Sequence, residues 1–371
     1  MRNRLHSICP YFAMFPESFA ERHIKDLTDE GDYVFDPFSG RGTTLLQALL
    51  MGRPAIATDI NPVAFCISGA KAKPPTLGAT HRELNRLHEL YLSFPRDSLN
   101  DERKKLPPFF HRAFYYSTLE QILFLRRILN WRQNLTHRFI ATLGLGSLHG
   151  DMDRSSSYFS NQLPRTISPK PNYSVDYWRR LGLWPRKRDV FEILKSRAIL
   201  RLEANRPKMR GRAALLDARK ASSAFPLLRG KVKAIITSPP YFDVTNYEED
   251  QWLRLWFLGY PARPTYQQLS HDDRHTSKKL YWNFLQEVWR GIKPLVQDDA
   301  MLVCRIGTRG MTNKEVTHSL LQTLRQSFPK CTLVARPYQS NIKNRQTQLF
   351  RPGSTGCLYE LDHVVHLGAI N

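Results

Sequence analysis

Ile235-Ile236-Thr237-Ser238-Pro239-Pro240-Tyr241 is an apolar, β-branched run that stops abruptly in two prolines. The run predicts a buried strand, and neither proline can extend its ladder, so the chain leaves the sheet after Thr237 as a stiff turn. Two adjacent prolines fix φ and remove two backbone donors, which leaves neighbouring carbonyls pointing outward between the Ser238 hydroxyl and the Tyr241 ring. Such a turn suits a flat ligand that carries an amino group. A strand ending in Pro-Pro is also an ordinary structural feature, so the turn needs a partner before it becomes a site.

The partner lies upstream, in Tyr33-Val34-Phe35-Asp36-Pro37-Phe38-Ser39-Gly40-Arg41-Gly42-Thr43-Thr44 and the leucine-rich Leu45–Leu50 that follows. This reads as strand, glycine turn and helix. Gly40 and Gly42 let the backbone approach a nucleotide-like ligand, and the first N–H groups of the helix face it. No third glycine stands three residues after Gly42, so this is not the dinucleotide fingerprint. A second predicted strand, Ala55–Thr58, ends in Asp59-Ile60-Asn61-Pro62. An acid at the end of a second strand, about twenty residues on, is placed to bind ribose hydroxyls.

Taken together, Asp36-Pro37-Phe38-Ser39-Gly40-Arg41-Gly42-Thr43 and Thr237-Ser238-Pro239-Pro240-Tyr241 resemble the S-adenosylmethionine-dependent DNA amino-methyltransferases, and Ser-Pro-Pro-Tyr is most similar to their N4-cytosine branch. The resemblance covers about 11–70 and 213–310 well and the middle poorly. It implies a Rossmann-like class I methyltransferase fold: a mostly parallel α/β sheet closed by a C-terminal antiparallel hairpin, with an inserted, mainly helical basic region. It implies that Asp36, Pro37, Phe38, Ser39, Gly40, Gly42 and Thr43 line the methionine part of S-adenosyl-L-methionine. Asp59 would bind its ribose, and Ile60, next to Asn61, would pack on its adenine. Asp217, in Leu215-Leu216-Asp217-Ala218-Arg219, is the weaker match to an acid that binds the adenine amino group. Phe15 and Pro16 match a segment that covers the methionine end, or simply pack an N-terminal helix from Pro16 through Leu27.

The chain has 371 residues, a formal charge of +22 and a pI near 10.0, which makes a polyanion its natural partner. No apolar run is long enough to span a bilayer and no signal-peptide core follows Met1-Arg2-Asn3-Arg4, so the expectation is a cytoplasmic protein acting on DNA. Five scattered cysteines with no Cys-x-x-Cys pair predict neither disulfides nor a metal site.

Three segments follow from this reading: 1–75 as the cofactor-binding half, 76–212 as an inserted region suited to target recognition, and 213–371 as the catalytic half. Within the insert, helical spacing is expected over His81–Phe94, Ser117–Gln133, Leu135–Ser147 and Val190–Leu202. The polar stretch between Gly150 and Pro171, with Arg154 and Arg165, either contacts phosphates and base edges or forms an exposed loop. From Arg179 to Lys233 there are seventeen Lys or Arg against four Asp or Glu. Arg186, Lys187 and Arg188 are therefore candidates for phosphate contact, with the bases of Val190–Leu202 gathered on one helix face. Asn246 and Tyr247 stand near the expected base pocket. Trp252, Leu255 and Trp256 have the spacing of a buried helical face. Lys279–Ile292 reads as a helix, Ala300–Ile306 as a strand, and Thr332–Arg336 with Leu358–His366 as a late antiparallel pair.

The chemistry implied is direct methyl transfer to an exocyclic amine of double-stranded DNA. The amine's lone pair is delocalised into its ring and must be aimed at the sulfonium methyl. Hydrogen bonds to Ser238 and the Pro239 carbonyl would orient it, with Tyr241 stacked on the base. The base must leave the stack to be reached. The sulfonium is its own activated leaving group, so the reaction requires no metal. Carbon-5 methylation would need a cysteine nucleophile, and no Pro-Cys dipeptide occurs. Adenine N6 or an RNA base is the alternative target, and a basic nucleic-acid-binding protein without turnover the alternative class. The resemblance also allows a cognate restriction endonuclease as partner, and leaves the oligomeric state open.

Overall fold

The computed structural model describes residues 3–11, 15–150, 155–163, 170–203, 206–207, 209–242, 247–265, 277–307, 310–342, 357 and 359–368. The chain divides into two compact units. One comprises Met14–Ile60, Pro207–Asn246 and Leu269–Asn371, and the other Met1–Ala13, Asn61–Arg206 and Tyr247–Gln268. This division differs from the three expected segments. Residues 1–13 and 61–75 group with the helical region, as does 247–268, because their packing partners lie there.

The first unit contains every described strand: β1 Tyr33–Asp36, β2 Ala55–Asp59, β3 Arg212–Leu215, β4 Val232–Thr237, β5 Val296–Gly307, β6 Thr332–Leu333, β7 Tyr338–Asn341 and β8 Tyr359–His366. The order is β3-β2-β1-β4-β5-β8-β6, with β7 also paired to β8. β1 through β5 are mutually parallel, and β8 runs antiparallel to β5, β6 and β7. This is the expected mostly parallel α/β sheet. The expected late pair does form, as β6 with β8, and the short β7 was not foreseen.

Apolar β-branched residues buried on both faces explain the parallel core strands. Val34, Phe35, Ile235 and Ile236 are all fully buried. Strand alternation then sorts β5: Leu302, Cys304 and Ile306 join Phe35, Ile235 and the helix Lys278–Ile292 in one core, while Arg305 points to the opposite side. Each buried Phe, Ile or Leu here contributes about 1.5–3 kcal/mol. On that opposite side the helix Glu17–Leu27 packs against the helix Thr43–Leu50 and β4.

The second unit is helical among its described residues. Its core is aromatic: Phe110 meets Trp256 at 4.4 Å and Phe109 meets Trp252 at 5.0 Å between ring centroids, and Trp252, Leu255 and Trp256 are buried as their spacing predicts. Gly144 lacks the Cβ that would stand 2.8 Å from the Phe257 ring, which lets these helices close up. Helices form at Leu77–Ser93, Tyr116–Ile128, Leu135–Leu145 and Val190–Leu202. The second of these stops short of the expected Gln133, because Leu129 turns extended and Asn134 caps the next helix. Helices Arg96–Lys104, Pro108–Ala113 and Pro171–Arg180 were not foreseen.

Two expectations are corrected here. The bases of Val190–Leu202 do not share a solvated face, since Arg197 is buried, stacked on Tyr158 at 4.5 Å, with Nε donating to the Ser157 carbonyl at 2.9 Å. Of the described part of the polar stretch, 155–163, Ser156 and Ser157 are exposed as the loop alternative expects, whereas Tyr158 to Leu163 is buried rather than open. Ser160 Oγ donates to the Ala113 carbonyl, Gln162 Nε2 to the Arg112 carbonyl, and Asn161 Oδ1 accepts from the Arg186 N–H. Those hydroxyls and amides satisfy backbone. No described helix is long and apolar enough to cross a membrane. All five cysteines are buried thiols outside any disulfide, and no metal-binding cluster occurs among the described residues.

Candidate active site

β1 and β4 are neighbours in the sheet but lead to opposite sides of it, β1 toward β2 and β4 toward β5. Their carboxyl ends therefore mark the point where the strand order reverses, the usual place for a ligand crevice in an open α/β sheet. Both quoted turns sit there. Thr237 Oγ1 donates to Asp36 Oδ1 at 2.7 Å, joining residues 201 positions apart. Thr44 Oγ1 donates to the Ile236 carbonyl at 3.0 Å, which pins the helix start to β4.

The glycine turn is built from backbone. Gly40 and Gly42 have φ of 48° and 70°, in the left-handed region that favours glycine. The Gly42 N–H donates to the Ser39 carbonyl at 2.6 Å, and the Ser39 N–H to the Thr58 carbonyl at 3.0 Å. The Pro37 carbonyl accepts from Thr58 Oγ1 at 2.9 Å. Thr43 is buried and its Oγ1 accepts from Arg41 Nε at 3.1 Å. Arg41, also buried, pairs with Glu17 at 2.9 Å and so ties the turn to the N-terminal helix. Phe38 is half-buried, its ring 6.0 Å from that of Phe284.

Asp36 is 2 % exposed. Burial raises its carboxyl to about 7, against the opposing hydrogen bonds from Thr237 and the Phe38 N–H, with the charge of Asp59 adding to the rise. Asp59 closes β2, and its Oδ2 accepts the Gly40 N–H at 2.8 Å, so the second-strand acid holds the glycine turn. Ile60 follows, half-buried. Asn61 caps the helix Pro62–Ala72 through Oδ1 and the Val63 N–H at 2.9 Å, a structural duty.

Asp217 is brought to the same end of the sheet, since the Leu216 N–H donates to the Asp59 carbonyl at 3.0 Å. Its carboxylate is engaged by Arg219, whose Nη2 lies 2.7 Å from Oδ2, and it caps the following turn through the Arg219 N–H. Phe15 is buried against Phe19 at 4.9 Å, and Pro16 is exposed at the helix start.

Ser238 is half-buried, with Oγ 3.0 Å from the Arg305 carbonyl and 3.2 Å from the Tyr241 hydroxyl. Pro239 is buried and Pro240 half-buried. The Tyr241 hydroxyl donates to Glu360 Oε1 at 2.8 Å. Burial, then the adjacent Glu360 charge, push this phenol well above its ordinary pKa, so it stays protonated. Its ring lies on Gly307, where an added Cβ would meet Cε2 at 2.4 Å.

Beneath this turn lies a group that sequence reasoning missed. Arg305 is buried and makes a bidentate pair with Asp362, at 2.6 and 2.8 Å, and contacts Glu360 at 3.3 Å. Burial opposes its charge, but the Asp362 carboxylate overrides that and holds its pKa above the ordinary value. Its guanidinium also sits 4.0 Å over the Phe19 ring. The available signal was a lone Arg inside the apolar Leu302–Ile306 run, with Glu360 and Asp362 alternating in the late strand.

Arg154, Arg165 and Asn246 fall outside the described residues, and Tyr247 begins a short helix. Arg186 and Lys187 are exposed, whereas Arg188 is half-buried with its backbone N–H and C=O both held by Thr118 Oγ1.

A donor cofactor has a test in this turn. Ser39 Oγ is buried and has no hydrogen-bond partner among the described residues. A buried hydroxyl without a partner is costly unless a ligand completes it, and it stands directly before two left-handed glycines, Gly40 and Gly42, that leave the backbone uncovered. These residues fit a nucleotide-like cofactor.

Residues 2–68 match the family described as DNA methylase, of the N6 and N4 type. A 61-residue stretch is 53% identical to orphan methyltransferase M.BamHII of Bacillus amyloliquefaciens, covering 16% of this chain and 23% of that one. A 120-residue stretch is 30% identical to type II methyltransferase M.MjaII of Methanocaldococcus jannaschii, covering 31% of this chain and 22% of that one. The matches thus span less than a quarter of either relative. The solved TrmN of Thermus thermophilus aligns over 96% of this chain and 50% of its own at 10% identity and a TM-score of 0.34, a likeness too slight to argue from.

Proposed function

We propose, for a chain that belongs by its N-terminal segment to the N6/N4 DNA methylase family, that it transfers a methyl group from S-adenosyl-L-methionine to the N4 amine of cytosine in double-stranded DNA. The observation that carries this reading is the Thr237 to Asp36 hydrogen bond, which sets the Ser-Pro-Pro-Tyr turn beside the glycine turn at one strand-order reversal. S-adenosyl-L-methionine supplies an electrophilic methyl on a sulfonium. Asp59 and the turn Asp36 to Thr43 would hold it, with Ser39 Oγ gaining its missing partner.

Ser238 has one hydroxyl proton, and the Arg305 carbonyl takes it at 3.0 Å. Its oxygen lone pairs then accept from the substrate amine, beside the carbonyl of Pro239. With both amine hydrogens engaged, the nitrogen lone pair turns out of the base plane toward the methyl donor. Tyr241, held by Glu360 and resting on Gly307, offers a fixed ring for a base turned out of the duplex, worth about 1–3 kcal/mol by stacking. Arg305 is a positioning residue: anchored by Asp362, it holds Glu360, the acid that fixes Tyr241.

The same acceptors serve the N6 amine of adenine, and the family match spans both, so adenine is the second reading. Incubation of the purified chain and S-adenosyl-L-methionine with mixed-sequence duplex, followed by mass analysis of the nucleosides, tests both. N4-methylcytosine is expected. Methyladenine would replace the first reading with the second, and no methylated nucleoside on DNA or RNA would favour a basic binding protein without turnover.

A further inference from the structure

The helix Pro171–Arg180 and the segment that follows it carry a feature that the active site does not use. Ser174, Val175 and Trp178 are buried, with Trp178 against Phe109 at 5.6 Å. Tyr173, Tyr177 and Arg180 recur at helical spacing on another face. Tyr173 is 66% exposed, and the two tyrosine rings are nearly parallel, 18° apart at 6.2 Å. Beyond the helix, Leu181 and Trp184 are 51% and 65% exposed. Arg112 covers one face of the Trp184 indole at 3.7 Å, which fixes the ring while most of the residue stays open to solvent.

The same segment has no acid between Asp176 and Asp189 but five cations: Arg179, Arg180, Arg186, Lys187 and Arg188. All except Arg188 are exposed. Arg179, Arg180 and Lys187 form no ion pair among the described residues. An exposed tryptophan and tyrosine cost solvation, and Arg179, Arg180 and Lys187, lacking acids, repel one another, so the patch is explained by a partner that is both anionic and aromatic.

We infer that this surface binds duplex DNA, with Arg179, Arg180, Arg186 and Lys187 on backbone phosphates and Trp184, braced by Arg112, packed on a sugar or base. The inference rests on the DNA reading above and adds the residues of the contact. Phosphate contact gives charge without sequence, and the fixed indole adds apolar contact with a sugar or a groove-exposed base edge.

The test is binding of a fluorescent mixed-sequence duplex, followed by anisotropy across a salt series, with intact chain, the quadruple variant R179A/R180A/R186A/K187A, and Trp184→Ala. All five positions are exposed, and unchanged melting temperature confirms folding. Loss of four phosphate contacts should flatten the slope of log K against log salt by about 3 to 4. Trp184→Ala should weaken binding about tenfold with little change in slope. An unchanged slope in the quadruple variant, or unchanged affinity in Trp184→Ala, overturns the inference. So does preference for anionic lipid vesicles over duplex. Nucleoside analysis separates the two claims. Methylated product with an unchanged slope sinks the surface alone, and the expected slope loss without any product sinks the methyltransferase reading alone.

Discussion

Asp36→Asn is the most informative single change, because it removes a titration without changing shape. Asp36 is buried at the end of β1 and its carboxyl is raised from 3.8 to about 7. The native state therefore keeps a proton there that the unfolded chain gives up, and stability from this group is present below pH 3.8 and lost as pH rises through 7. A shift of about three pKa units corresponds to about 4 kcal/mol at full titration, of which roughly 2.5 kcal/mol falls between pH 5 and 8. Asparagine still accepts from Thr237 through Oδ1 and carries no charge at any of these pH values. Urea unfolding of both proteins at pH 5 and pH 8 is the assay. The variant's stability relative to wild type should grow by about 2.5 kcal/mol between the two pH values. Parallel behaviour, with a change under about 1 kcal/mol, would mean that Asp36 titrates normally and that the burial argument for this site is wrong.

Asp59→Ala frees the Gly40 N–H and should raise the dissociation constant for S-adenosyl-L-methionine in calorimetry, while Tyr241→Ala should mainly lower turnover; equal and negligible effects would sink both assignments. Arg305→Met strands the buried Asp362 and should cost about 3–5 kcal/mol in chemical denaturation, and a loss below 1 kcal/mol would show that the pair is not structural. Gly307→Ala drives a methyl into the Tyr241 ring, so turnover should drop with the donor's affinity unchanged, and wild-type turnover would remove Gly307 from the account.

Much of the sheet was legible because its strands are short apolar runs ended by Pro or Gly. The Ile235–Thr237 run, the Gly40 to Gly42 turn and the Ala55–Asp59 strand all lie where their residues predict. Asp59 was legible as an acid at a strand end, but its bond to Gly40 was not, since loop closure over 19 residues leaves no local pattern. β7 escaped because Tyr338-Gln339-Ser340-Asn341 has no apolar alternation, and its pairing with β8 alone makes it a strand. The polar Ser160–Gln162 run was unreadable for a related reason. Hydrogen bonds to backbone carbonyls and to a backbone N–H let Ser160, Asn161 and Gln162 sit in the interior, and composition alone cannot distinguish that from a wet loop.

Placing β8 between β5 and β6 has an implication for biosynthesis. The parallel ladder β1–β2 joins segments near the amino end and can pair while translation continues. The brace under Tyr241 cannot, because Glu360 and Asp362 emerge from the ribosome more than a hundred residues after the turn that they steady. Nascent chains would therefore carry the glycine turn long before they carry a competent Ser-Pro-Pro-Tyr turn, and the slow, high-contact-order step would be the threading of this late strand into its slot.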